Sequence, residues 1–344
     1  MIARALVVVA ALLAAFAPVP AGLVEEWYSR GFYPRLQSVV TPVTNLSPVA
    51  LLDVAVAIWL LVALALAVRR VRIDGVRGLL RASPRAVLVS AAVVYLVFLA
   101  MWGLNYRREP LEAKLAYEPA RVTSEAAIRF AGEAARHANV RHAAGHATPL
   151  DESRLAEAFA RAERALGDRR LAVIGRPKRS LATWYFRGAA IDGMTNPFFL
   201  EIILNSDLLP FETPFVLAHE WAHLAGYADE SDANFVAWVT CTMADAPAQY
   251  SGWLVAYMYG AAAVPRVERR HLPALDAGPR ADIRAMRARY QRASPVVSQA
   301  AREVYDSYLR ANRVPEGIES YDAAVRLMLG TTYDAGYVPR LRSQ

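Results

Sequence analysis

His219-Glu220-Trp221-Ala222-His223 places two imidazoles four residues apart with a carboxylate directly after the first. On a helix, residues four apart share a face, so both rings can point at one divalent ion. Glu220 then stands beside that ion, where it can act as the base for an attacking water. The spacing alone is moderately specific, and two solvated histidines on a surface helix would satisfy it equally. The neighbours argue against that reading. Val216, Leu217, Ala218, Trp221, Ala222 and Leu224 make a helix that must be largely buried. Buried imidazoles and carboxylates need partners, which a metal supplies. The chemistry expected is hydrolysis at a Zn2+ held by His219 and His223, with Glu220 as the catalytic residue.

A catalytic zinc usually takes a third protein ligand. Gly226 is suited to end the first helix, and Asp229 or Ser231 to cap a second. A turn there brings three carboxylates back toward the histidines. Glu230 opens Glu230-Ser-Asp-Ala-Asn234, which resembles the segment supplying the third ligand in glutamate-type zincins, and it is favoured. Asp229 instead fits the metzincin-like spacing His-Glu-x-x-His-x-x-Gly-x-x-Asp. Asp232 is expected to orient a ligand imidazole rather than to touch the metal. Met258 faintly echoes a metzincin Met-turn, although a methionine in an apolar helix is more often core. Tyr227, Tyr321 and Tyr185 are the candidates for stabilising a developing oxyanion.

The elements that must position these residues begin in lipid. Hydrophobic residues make up 55% of the chain, and the excess lies in the first 105 residues. Apolar runs over about 5–24, 48–68 and 86–105 are each long enough to cross a bilayer at about 1.5 Å per residue. The first also resembles a secretory signal, with Ala15-Phe16-Ala17 as its cleavage site, but its length favours an uncleaved helix bent at Pro18 and Pro20. The interval 69–85 carries Arg69, Arg70, Arg72, Arg77, Arg81 and Arg85 against Asp74. Arginine-rich intervals stay cytoplasmic. That puts the 25–47 loop and everything after Asn105 outside, with Arg107 and Arg108 outweighed. Asp53 then falls at the outer end of its span, in a solvated interfacial position.

Residues 106–344 read as an extracytoplasmic domain. Helices are expected over Thr123–His137, Asp151–Leu166, Pro295–Asn312 and Ser320–Leu329, and strands over Leu171–Ile174, Leu181–Phe186 and Phe198–Leu204. The last strand offers an edge to an extended substrate or serves as a covered core strand. The connection around Asn139–His146 reads as polar, with His142 and His146 solvated. Cys241, the single cysteine, cannot form an internal disulfide and reads as packed core. The net charge of +7 comes without the aromatic interleaving of a nucleic-acid binder, so no nucleic-acid partner is expected and lipid headgroups are the simpler counterpart.

Several segments resemble an uncharacterised family of bacterial membrane proteins, catalogued as a domain of unknown function, with a zinc-peptidase-like motif. They are Met101-Trp-Gly-Leu-Asn-Tyr-Arg-Arg108, Thr195-Asn196, His219 to Phe235, and Tyr308-Leu-Arg-Ala-Asn312 through Gly317 to Ser320-Tyr321. The family's His-Glu-x-x-His-x-x-Gly and Glu-x-Glu-Ala-Asn-Phe pattern falls on His219, Glu220, His223, Gly226, Glu230, Asp232, Ala233, Asn234 and Phe235, with Asp232 replacing the second Glu. The resemblance implies a multi-pass protein of the bacterial inner membrane, with three N-terminal transmembrane helices before a mainly α, zincin-like α+β domain that has a small sheet. The function expected is a membrane-anchored zinc metallopeptidase acting on peptide or protein substrates. The alternatives are a non-catalytic metal-containing membrane protein and a sensor that binds a regulatory partner.

Overall fold

The computed structural model describes residues 2–314 and 323–342. Helix α1 (Ile2–Phe16) meets α2 (Ala21–Asn45) at an angle of 111°. Pro18 and Pro20 lie in the break, where a ring replaces the amide hydrogen that would continue the helix. Helix α3 (Leu51–Met101) is interrupted at Gly75, whose φ of 69° is open to glycine at little cost. Its parts Leu51–Gly78 and Pro84–Met101 are long and apolar enough to cross a membrane, and the bent α1–α2 pair makes a third only if counted as one span. At 1.5 Å per residue those parts extend about 42 and 27 Å. The expected loop over 69–85 is thus mostly helical. Its six arginines are all exposed. Both ends of α3 bond to the same body of the protein, so the chain runs out and returns.

The expected external loop over 25–47 is a helix, with a π-helical stretch at Val24–Phe32. Its buried residues, Glu25, Tyr28, Ser29, Tyr33, Gln37, Thr41 and Thr44, recur every three or four positions. That is a helical stripe, but a polar one, so hydropathy does not reveal it. Its partners are backbone groups far along the chain. Gln37 exchanges two hydrogen bonds with Val173, at 2.7 and 3.0 Å. Asn45 takes the Ile174 carbonyl at 2.9 Å and accepts from the Arg176 amide at 2.9 Å, and Thr41 donates to the Leu200 carbonyl at 3.0 Å. This explains why Leu171–Ile174 is not a strand. Its polar groups are satisfied by side chains of α2, and the Ala172 amide by Glu163 at 2.9 Å.

The remaining elements follow in order. They are α4 (Ser124–Ala147), α5 (Glu152–Ala165), β1 (Pro177–Lys178), α6 (Thr183–Ala189), β2 (Gly193–Asn196), β3 (Glu201–Leu204), α7 (Thr213–Leu224), α8 (Glu230–Thr242), α9 (Ala246–Ala263), α10 (Ala277–Tyr290), α11 (Pro295–Ala311), α12 (Ala323–Gly330), β4 (Tyr333–Asp334) and β5 (Val338–Pro339). Thr123 and Asp151 cap α4 and α5, each accepting amide hydrogen bonds. Helix α4 runs ten residues beyond His137, through the segment expected as a polar connection. Gly145 lies inside it, packed so closely on α9 that a Cβ there would fall 2.7 Å from Tyr250 Cβ. The expected strand Leu181–Phe186 is instead α6, preceded by a turn in which the Thr183 hydroxyl donates to the Ser180 carbonyl at 2.7 Å. Of the expected helix Ser320–Leu329, the first three residues lie outside the described residues. Cys241 is fully buried, its Cβ close against Gly252.

The three-stranded sheet has the order β1-β3-β2, with β1 parallel and β2 antiparallel to β3. The 198–204 segment therefore yields the central strand and offers no free edge. Glu201, the first residue of β3, has no exposure at all. Its carboxylate accepts from the Leu51 and Leu52 amides, each at 2.9 Å, and so caps the start of α3. Lys178 closes the arrangement 2.8 Å from Glu201 Oε2. Asp53, expected in a solvated position, accepts from the Ser180 hydroxyl at 2.8 Å and the Leu181 amide at 2.7 Å. The Asp53 carboxylate, in the first turn of α3, is thus held by the domain.

Two stability measurements follow. Lys178→Ala strands the Glu201 charge, and denaturant unfolding in detergent should show a loss of about 3–5 kcal/mol. Glu163 is buried, and burial pushes its carboxyl up to about 8. A carboxyl raised on folding favours the native state below its unfolded pKa, and that contribution fades as pH rises through the folded value. Glu163→Gln keeps an acceptor for Ala172 without the titration. Its melting temperature should therefore gain on the wild type between about pH 5 and about pH 9; a pH-independent difference would exclude Glu163 as the source.

Candidate metal centre

Helix α7 is almost wholly buried. Trp221 anchors it, donating to the Gly175 carbonyl at 2.9 Å and packing edge-on against Phe159. Gly226, with φ of 93°, turns the chain just past the helix end. Helix α8 then starts at Asp229, whose carboxylate accepts from the Ser231 amide at 2.8 Å. Asp229 is therefore occupied as the cap, and the next residue, Glu230, faces back toward α7.

The result is a cluster of three groups. Glu230 Oε2 lies 3.3 Å from His219 Nε2, and Glu230 Oε1 lies 3.5 Å from His223 Nε2. One ligand atom from each residue falls within 4.8 Å of the others, a spacing that can hold a metal ion. The imidazole planes stand nearly perpendicular, with centroids 4.6 Å apart. His223 Nδ1 is 2.8 Å from the Tyr227 carbonyl, which directs Nε2 into the cluster. Glu230 Oε2 and His219 Nδ1 are buried without a hydrogen-bond partner among the described residues. Two imidazoles and a buried carboxylate with an unused acceptor oxygen suit a zinc-like cation. Solvent reaches the cluster chiefly at His219, whose side chain is 14% exposed.

Glu220 lies beside the three, 3% exposed. The Thr195 hydroxyl is 2.8 Å from its Oε2 and 2.9 Å from its main-chain oxygen. Gly193 fits against it because any Cβ there would fall 2.6 Å from Oε1. Strand β2 thus approaches α7 closely over the carboxylate. Burial raises the Glu220 pKa, and the two histidines and Thr195 pull against it. In His223, burial acts downward, but the Glu230 carboxylate prevails and lifts the imidazole to about 9. Burial acts upward on Glu230, and His223 and His219 hold it well below the carboxylate range.

The other candidates fall elsewhere. Asp232 does not orient an imidazole: it accepts the Leu111 amide at 3.3 Å, and burial with Asp229 nearby brings it up to about 7. The Tyr227 carbonyl takes the orienting role instead. The Tyr227 hydroxyl donates to Asp168 and the Arg108 guanidinium lies 5.0 Å over its ring, so this hydroxyl is not aimed at the cluster. Tyr185 is exposed on α6 beside Trp184. Tyr321 lies outside the described residues. Met258 sits within α9, not in a turn. Among the described residues, Tyr305 of α11 reaches the cluster, donating to Glu230 Oε1. Its stacked neighbour Tyr308, three residues on, marks the inner face of an amphipathic helix. That period was the available signal.

The chain belongs to the family described as protein of unknown function DUF3810, whose family model matches residues 28–329. No curated protein and no solved structure matches it.

The two acids that competed in sequence separate by experiment. Glu230→Ala should lose one bound zinc per chain after dialysis, measured by elemental analysis. Asp229→Ala should keep that ion and lose about 0.5–2 kcal/mol of stability through the missing cap.

Proposed function

We propose that this protein is a membrane-anchored zinc metallopeptidase whose ion is held by His219, His223 and Glu230. The observation that carries the reading is the convergence of two imidazole Nε2 atoms on the carboxylate of a following helix, with a second, non-ligand carboxylate, Glu220, buried alongside. A bound zinc would supply Lewis acidity, easing deprotonation of water and polarising the scissile carbonyl. Glu220 takes the proton of the attacking water and returns it to the leaving amine. Burial raises its pKa, which favours uptake of the proton by this carboxylate. The Tyr305 hydroxyl reaches the ligand set by its bond to Glu230 Oε1 and is assigned to the oxyanion.

Strand β2 is the proposed substrate platform. Asp192 and Met194 face hydrogen-bonded positions of β3 by the alternation of an antiparallel ladder, since the Asn205 amide donates to the Asp192 carbonyl at 2.8 Å. The main-chain groups of Gly193 and Thr195 therefore point to the outer edge, next to Glu220. An extended peptide that pairs there runs past the ion and the base. The exposed arginines over residues 69–85, around the interruption of α3, support a cytoplasmic tip and an extracytoplasmic site.

The test is peptide hydrolysis by the full chain in detergent, with bound zinc measured in parallel. Glu220→Gln should retain the metal and lower kcat by at least about 100-fold, the range of general-base contributions. Full activity in that variant would remove Glu220 as the base. A wild type that binds zinc but cleaves no peptide in a diverse library would leave a metal-containing binding protein.

A further inference from the structure

We infer that the protein carries a second divalent-cation site, formed by His142, His146 and Asp282. Its construction parallels the first. His142 and His146 stand four apart on α4, with ring centroids 4.6 Å apart. A carboxylate from a different helix, Asp282 of α10, meets both. Asp282 Oδ2 lies 2.8 Å from His146 Nε2 and 3.4 Å from His142 Nε2, and one ligand atom from each of the three falls within 4.8 Å of the others. The set is again two neutral-capable nitrogens and one oxygen, suited to zinc or a similar borderline ion rather than to magnesium or calcium.

The surroundings are shaped for this cluster. Tyr250 of α9 donates its hydroxyl to Asp282 Oδ2, bracing the carboxylate as an outer-shell partner does at metal centres. Two glycines make room. A Cβ on Gly278 would fall 2.5 Å from His142 Cε1, and one on Gly145 would fall 2.7 Å from Tyr250 Cβ. Three helices thus close on one point from which two imidazoles and a carboxylate project. The side chains of His142 and His146 remain 32% and 41% exposed, so an ion can enter from solvent and complete its coordination with water.

The ion would tie α10 to α4. Helix α10 also carries Arg289, which bonds Glu212 at 2.9 and 2.8 Å at the start of α7. The second site would therefore fix a helix that braces the helix of the first. The role is structural, and it does not depend on peptidase activity.

The probe is Zn2+ alone, titrated into the purified full chain in detergent and counted per chain after dialysis at micromolar free metal. A His219→Ala, His223→Ala variant should still hold one zinc, and adding His142→Ala, His146→Ala should remove it. In the otherwise wild-type chain, His142→Ala, His146→Ala should lower the count by one. Co2+ in the first variant should give the visible absorption of a low-coordinate nitrogen–oxygen site. A first variant that binds no zinc overturns the inference, as does a count that His142→Ala, His146→Ala leaves unchanged. Either variant decides alone if the other fails to fold. Failure of the peptidase reading would leave these counts untouched.

Discussion

The last turn of an α-helix has carbonyls without helical partners, and at the end of α7 membrane-proximal segments supply them. The Trp102 indole, just past α3, donates to the His223 carbonyl at 2.8 Å. The Tyr33 hydroxyl of α2 donates to the Leu224 carbonyl at 2.6 Å, and Arg108 donates to the Gly226 carbonyl at 3.0 Å. Three side chains from near the apolar helices therefore fix the turn that follows His223. The position of His223 depends on where those segments lie.

The same logic continues into an ion-pair network. Arg108 grips Glu25 of α2 through two hydrogen bonds at 2.9 and 3.0 Å, and Arg30 and Lys114 join the same carboxylate. The Arg108 and Glu25 side chains are each only 7% exposed. Burial acts upward on Glu25, and its cationic partners outweigh it, bringing the carboxyl down to about 2. Removing one partner would leave buried charge uncompensated, so the network holds as a unit. The two lysines of the chain, Lys114 and Lys178, both serve such buried carboxylates. Lys178 and Glu201 do at the start of α3 what Arg108 and Glu25 do near its end.

These contacts give the helices near the membrane a second role beside anchoring. Residues 21–45 and both ends of α3 are bonded to segments between residues 173 and 226. Most of the bonds run from side chains to backbone, in stretches too irregular to satisfy themselves. A polar helix is a practical partner for such stretches, because amide and hydroxyl side chains can donate and accept where no strand is available.

Sequence alone singled out His219, Glu220 and His223 and the apolar spans. Four-residue spacing on a helix fixes which imidazoles share a face, and length with hydropathy fixes what can cross a bilayer. Helix ends at Thr123, Asp151 and Gly226 were also legible, because caps act through local backbone geometry. Tertiary structure decided whatever depended on distant partners. It made Asp229 a cap and turned Glu230 to the histidines, a choice between adjacent acids that spacing leaves open. It converted Leu171–Ile174 from a strand into backbone served by α2, and it packed Gly145 of α4 against Tyr250 with no room for a side chain. It also joined His142 and His146 to an aspartate 136 residues beyond His146. Local pattern reports the period of an element, whereas the partner of a buried polar group is set by packing.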